Sequence, residues 1–162
     1  MLRRTLVGVA IFAVLLGATP SMVRAQEPDP KTVAEIKEVV DRHDKALSEK
    51  NLTALMETFV AGPNTVVLGT GPGERWVGPD EIRAAYTEMF KNYDAGTLQV
   101  TTTWKTGAAE GNVAWIAAQA QCVEYLKNEK REYGLNVTAT LVKRGAKWQI
   151  VSLHMSNPTG PE

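Results

Sequence analysis

Two histidines, one cysteine and a dispersed set of tryptophans and tyrosines carry most of the chemistry available to this 162-residue chain. His43 falls in the series Val33, Ile36, Val39, Val40, His43, Leu47, whose spacing is helical, so its imidazole stands on an apolar stripe. Facing a pocket, it would serve as a general acid or base near neutral pH. Facing a core, it needs only a hydrogen-bond partner, which is the commoner case. No second histidine, cysteine or close carboxylate stands at metal-ligand spacing to His43 or His154. No metal site and no cofactor is therefore expected. Trp76, Tyr86, Tyr93, Trp104, Trp115 and Tyr133 could line a cavity for a flat apolar molecule, although large aromatic side chains more often fill a core. Gly69-Thr70-Gly71-Pro72-Gly73 is not a phosphate loop, because no Lys-Ser/Thr follows it into a helix. Its glycines suggest a mobile lip instead.

The elements that must position these residues follow from periodicity. A long amphipathic helix runs through Val33 to Leu47; Asn51 is placed to cap a second, whose stripe Leu52, Leu55, Met56, Phe59 ends before Gly62-Pro63. Val66 to Leu68 is a short apolar strand. Pro79 opens a third helix, with Ile82, Ala85, Tyr86, Met89, Phe90 and Tyr93 on one face. After Asp94-Ala95-Gly96 the period becomes twofold, giving strands over Leu98–Thr106, Asn112–Leu126, Arg131–Lys143 and Trp148–Ser156. Turn signals at Glu110-Gly111-Asn112, Lys127 to Lys130 and Gly145-Ala146 join them. Helices first and strands after is the α+β pattern, with helices packed on one face of a curved, mainly antiparallel sheet.

The N-terminus reads as an export signal. Arg3 and Arg4 precede an apolar run from Leu6 to Ala18, and Val23-Arg24-Ala25 places small or apolar residues before a cut after Ala25. The run is shorter than the roughly 20 residues a membrane-spanning helix needs. Expected domains are a signal at 1–25, a tether at 26–30, one folded domain at 31–157 and a tail at 158–162, in a periplasmic or secreted protein. From 18 basic and 18 acidic residues the signal removes three arginines and no acid, leaving a net charge of −3. No basic patch remains to attract nucleic acid, and no anchor to hold a membrane. The single Cys122 cannot form an internal disulfide.

Several stretches have familiar wording: Ala46-Leu47 with Asn51-Leu52, Trp76-Val77-Gly78, Val113-Ala114-Trp115-Ile116-Ala117, and Lys147-Trp148-Gln149-Ile150-Val151 followed by His154 and Ser156. From Lys31 to Ser156 the chain resembles the SnoaL-like, nuclear transport factor 2-like superfamily, whose fold is a cone of curved sheet closed by helices. Its closing stretch is similar to the association domain of calcium/calmodulin-dependent kinase II. The resemblance implies a fold and not an activity. Arginines that hold a carboxylate in that association domain would fall at Ala117, Ala139 and Met155, and the carboxylate base of ketosteroid-isomerase relatives would fall within Thr65-Val66-Val67-Leu68. Both are missing.

If Met155 points inward as its family match does, alternation carries Val151, Leu153 and Tyr133 to Leu141 inward as well. The same rule turns Trp115, Ala117, Gln119 and Gln121 inward, and Ala114, Ile116, Ala118, Ala120, Cys122 and His154 outward. On that reading Gln119, Gln121 and Arg131 are inward polar groups that need a partner, from a ligand, from water or from each other. The small apolar outward set implies a homodimer through the sheet. Three functions remain open: binding of a small, largely apolar ligand by Trp76, Tyr86, Trp104, Trp115, Gln119, Gln121, Arg131 and Tyr133; an isomerase or dehydratase using His43; and an assembly module with a vestigial cone.

Overall fold

A computed structural model describes residues 29–158. The expected signal segment, the expected tether up to residue 28 and residues 159–162 of the expected tail lie outside the described residues. Helix α1 (Pro30–Ser48) begins where Asp29 accepts the N–H groups of Lys31 and Thr32 at 3.0 and 3.1 Å, satisfying donors that have no partner inside the helix. It buries Ile36, Val39, His43 and Leu47 of the expected stripe together with Ala46, while Val33 at the head of that stripe is exposed and Val40 is half-buried. It ends in a reversal at Lys50, a lysine at φ 54°, where glycine is usual. The Asn51 N–H bonds Ala46 O at 2.8 Å and the Lys50 N–H bonds Leu47 O at 3.0 Å. Asn51 then caps α2 (Leu52–Glu57) by accepting the Ala54 N–H. Phe59, expected on the α2 stripe, leaves the helix to bridge Ile150.

Strands β1 (Val66–Leu68) and β2 (Arg75–Val77) flank the glycine loop. β2 is not expected from the sequence, because Arg75-Trp76-Val77 lacks the uninterrupted apolar run that marks β1. Pro79 lies in the first turn of α3 (Gly78–Met89), and a 3₁₀ turn at Phe90–Asn92 takes Tyr93 off the α3 stripe. β3 (Gln99–Glu110), β4 (Val113–Leu126), β5 (Glu129–Arg144) and β6 (Lys147–Ser156) form an antiparallel meander. β6 also pairs in parallel with β1, so the six-stranded sheet runs β2-β1-β6-β5-β4-β3. The fold is α+β, helices on one face of a mixed sheet, as expected.

The facing of β4 differs from the expectation. Lys127 and Asn128 both have positive φ, 52° and 69°, and Leu126 pairs directly with Glu129. This is a two-residue hairpin loop of the type whose twist matches the strands, not a four-residue turn through Lys130. Even-numbered residues of β4 therefore stand opposite odd-numbered residues of β5: Ala114 with Leu141, Ala120 with Leu135, Cys122 with Tyr133. Ala114, Ala120 and Cys122 are buried beneath the helices, while Trp115, Gln119 and Gln121 are exposed on the outer face. Loops of two and of four residues give the same parity, so the expected facing, odd residues of β4 together with odd residues of β5, would have required a loop of odd length. On β5 and the end of β6 the expectation holds: Val137, Ala139, Leu153 and Met155 pack on the core. A register shift at Thr140/Leu141 then leaves Val151 without a partner and turns Ile150 and Trp148 inward in its place.

At the far end, Glu35 accepts from Lys143 Nζ at 2.6 Å and from Trp148 Nε1 at 3.0 Å, fastening α1 to the β5–β6 hairpin. The corrected facing is checked by thiol chemistry. Cys122 is 1 % exposed, and burial, with the negative charges of Glu124 and Asp44, pushes its thiol up to about 11. In the native protein a disulfide reagent at pH 8 should leave Cys122 unmodified. A Gln121→Cys variant on a Cys122→Ala background should react fully, and the reverse order of reactivity would refute this register.

Candidate functional site

Between α3 and the sheet lies a cavity of about 750 Å³. Val67 of β1, Leu135 of β5 and Met155 of β6 form its sheet wall; Ile82, Ala85 and Met89 form its helix wall. Period 3.6 on α3 and period 2 on the strands place these apolar side chains opposite one another. Trp76, Tyr86 and Tyr133 add aromatic rings, and Asn92 and Asn157 add amides. The exposed Thr70, Glu74, Glu81 and Glu88 also border it.

Of the side chains expected to hold a ligand, three meet here: Trp76, Tyr86 and Tyr133. Trp104 and Trp115 are not among its lining residues; at 52 % and 45 % exposure they stand on the outer face of the sheet. Trp104 is opposite Gln119 and Trp115 is opposite Ala108, so both tryptophans share the outward side of β3 and β4. Gln119 donates to Asn136 Oδ1 at 3.2 Å across that face, and Gln121 is exposed there. Both stand on the outer face because odd residues of β4 pair with even residues of β5.

Arg131 also lies outside the cavity lining, and its partner is internal. It pairs with Glu124 Oε1 at 2.7 Å and donates to the carbonyl of Asn92. Glu124 is 6 % exposed and accepts a second bond, from Tyr133 Oη to its Oε2 at 3.2 Å. A buried carboxylate needs this kind of enclosure by a cation and donors. Sequence reasoning passed over Glu124. The available signal was a lone acid continuing the small apolar series Ala118, Ala120, Cys122, which only a two-residue hairpin sets across from Arg131.

His43 is buried in the core and does not line the cavity. Its Nδ1 lies 3.1 Å from Asp44 Oδ1, and its ring meets Phe59 and Tyr86 edge-on at centroid distances of 5.8 and 6.5 Å. Its Nε2 and the hydroxyl of Tyr86 are both buried with no hydrogen-bond partner among the described residues. Burial, followed by Tyr93 and Asp44, raises the Tyr86 phenol well above its ordinary range. Tyr93 and Tyr133 are raised too, by burial first and then by the charge of Glu124.

The glycine loop is tied down at one residue. Glu74 N–H bonds Gly71 O at 3.2 Å, Glu74 O accepts from the Gly69 N–H at 2.9 Å, and its Oε2 accepts from the Gly71 N–H at 2.8 Å. A Cβ on Gly69 would lie 2.2 Å from that carboxylate and 2.9 Å from the Glu74 Cβ. Glycine is needed there for close approach. Among the described residues, no group of three His, Cys, Asp or Glu is placed to hold a metal ion, and no helix is long and apolar enough to cross a membrane.

Residues 36–160 match the family model of the SnoaL-like domain. The chain belongs to that family. Solved structures agree on the fold. A nuclear transport factor 2-like superfamily protein from Salmonella enterica superposes with a TM-score of 0.70 at 19 % identity, covering 82 % of this SnoaL-like chain and 95 % of its own. A protein from Xanthomonas campestris, provisionally described as a calcium/calmodulin-dependent protein kinase II association domain, has a TM-score of 0.70 at 22 % identity, with 85 % and 95 % covered. One from Streptomyces avermitilis, provisionally described as a dehydratase of the nuclear transport factor 2-like family, has a TM-score of 0.67 at 16 % identity, with 81 % and 100 % covered. At these identities the likeness concerns the fold alone. No curated protein matches the chain.

Two measurements check this electrostatic arrangement. Arg131→Met strands a buried carboxylate and should cost about 3 kcal/mol in urea unfolding, whereas Glu124→Gln keeps an acceptor for Tyr133 and releases a half-exposed arginine, for about 1 kcal/mol. Equal costs would mean that the pair behaves as a surface ion pair. The three raised phenols bind their protons more tightly folded than unfolded, so their contribution is fully present below the ordinary tyrosine pKa of about 10 and is lost as pH rises beyond it. Stability should therefore fall steeply above about pH 10, and phenolate absorbance of these tyrosines should appear together with loss of the far-UV helix signal. Because the fourth tyrosine, Tyr125, is exposed, more than one phenolate per chain in a fully folded protein would contradict their burial.

Proposed function

We propose that this SnoaL-like protein is exported, pairs with a second copy and binds a small, largely apolar molecule in the cavity between α3 and the sheet. The observation that carries the reading is the cavity itself. At about 750 Å³ it falls in the size range of ligand pockets, and its apolar walls with a few polar groups match their usual chemistry. Trp76, Tyr86 and Tyr133 would supply most of the contact. Binding is favoured over an isomerase or dehydratase because the imidazole that such chemistry would use stands outside the cavity, in edge contact with Phe59 and Tyr86.

Support for pairing comes from the outer face. Trp104, Trp115 and Val113 are exposed on the adjacent strands β3 and β4. Large apolar side chains gathered on one face mark an interaction surface. The covering chain is a second copy in this reading, which transfers the expected sheet dimer from the small residues of β4 to Trp104 of β3 and Trp115 of β4. Export rests on the N-terminal pattern alone, with a periplasmic or secreted destination.

Mass spectrometry under native conditions, on protein recovered from the medium or periplasm of an exporting host, tests all three parts. The expected species is a dimer of chains beginning at Gln26 with a small molecule bound. Ala85→Trp should fill the cavity and abolish the bound mass without splitting the dimer, and Trp115→Glu should split the dimer. A ligand-free monomer with an intact N-terminus would overturn the proposal.

A further inference from the structure

We infer that the cavity, if it binds a ligand as proposed above, selects an apolar molecule with a positively charged or strongly donating end, a protonated amine before all others, and rejects carboxylates. Three independent features of the lining point the same way. First, none of the lining residues is Lys, Arg or His, while three are glutamates. Glu88 is held by Lys91 at 2.6 Å. Glu74 and Glu81 each accept one backbone N–H, from Gly71 and Val77 at 2.8 Å, and among the described residues neither has an ion-pair partner. Their charge is left to act on whatever approaches, and a cleft with low-dielectric walls focuses that field.

The second feature is the hydrogen-bonding polarity of Tyr133. A phenol has one proton to donate, and that proton is committed to the buried Glu124. Arg131 lies 2.7 Å from the other carboxyl oxygen, Oε1, which leaves Oε2 to accept from Tyr133. What the Tyr133 oxygen can offer to the cavity is therefore lone pairs. A ligand that brings an N–H or O–H is satisfied there, and a carboxylate meets a lone pair with a negative charge. Third, the aromatic rings of Trp76, Tyr86 and Tyr133 border the same space; aromatic faces attract an ammonium group and repel an anion. Arg131, two residues from Tyr133, is spent on Glu124 and the Asn92 carbonyl, and neither Arg75 beside Trp76 nor Arg83 on α3 is among the lining residues.

Calorimetric titration of the mature protein at pH 7 with 1-naphthylmethylamine, 1-naphthylmethanol and 1-naphthoate separates this inference from the reading beneath it. The three share an apolar body and differ in their polar end. The expected order is amine, then alcohol, then carboxylate, with about a tenfold gap between the first and last, in line with the local enrichment a charged cleft produces. The double variant Glu74→Gln/Glu81→Gln keeps both acceptors for the backbone and should narrow the gap. Tyr133→Phe should weaken the amine and the alcohol and leave the carboxylate unmoved. Far-UV circular dichroism of each variant establishes that it is folded. A carboxylate that binds as tightly as the amine overturns the charge selection and leaves the cavity as a binding site. Binding by none of the three overturns the binding reading itself. A gap unchanged in the double variant overturns the part assigned to Glu74 and Glu81.

Discussion

Lys127 and Asn128 each adopt a left-handed backbone conformation, and this pair closes β4 on β5 with Leu126 opposite Glu129. Strand side chains alternate, so this one closure determines which half of β4 the helices cover. It turns Ala114, Ala120 and Cys122 toward α1 and α3, and it turns Trp115, Gln119 and Gln121 away. The inner residues of β4 are small, which leaves room above them. The bulk that a core requires comes from elsewhere: Phe59, Tyr86 and Tyr93 from the helical half, Trp148 and Ile150 from β6.

The same closure puts an acid into that interior. Glu124 lies on the covered side of β4, and an isolated carboxylate there would be too costly to retain. Arg131 and Tyr133 flank it from β5, and Arg131 reaches on to the Asn92 carbonyl just beyond α3. One charged group thus ties the wide end of the sheet to the exit of the helix that walls the cavity. Nearby, Asp94 N–H donates to Tyr125 O at 2.7 Å and Asp94 Oδ2 accepts from the Lys127 N–H at 2.9 Å, so the hairpin and the α3 exit are fixed to each other. Within this frame Tyr133, which borders the cavity, is oriented by an acid that lies outside the cavity lining.

The helices were legible because their signals are local: the stripe of α1, the Asn51 cap and Pro79 act within a few residues. The four long strands were legible for the same reason, and the family wording of the closing strand pointed to the right fold. What failed was a matter of one residue. Lys-Asn lacks the glycine that usually announces a two-residue hairpin, so the sequence offered no reason to prefer it over a longer turn through Lys130. Trp115, Gln119 and Gln121 were misplaced because odd residues of β4 were faced with odd residues of β5, which neither a two-residue nor a four-residue loop permits; Trp104 stands outward opposite Gln119, and Glu124 was passed over. Trp76, Tyr86 and Tyr133 converge from β2, α3 and β5, a relation that depends on the sheet order and on no local pattern.

The parallel pairing of β1 with β6 joins the first strand to the last. Val67 lies beside Leu153, Val60 donates to Ile150 and Gln149 Nε2 reaches Phe59 O at 2.9 Å, so the helical half has its seat on the final strand. Contacts this distant along the chain require the closure of a long loop before they return any stabilisation. During synthesis the N-terminal helices must therefore wait, unseated, until the last residues have been made. The hairpins of β3 to β5 can form among themselves meanwhile, which makes the arrival of β6 the step that converts a partly ordered chain into a closed cone.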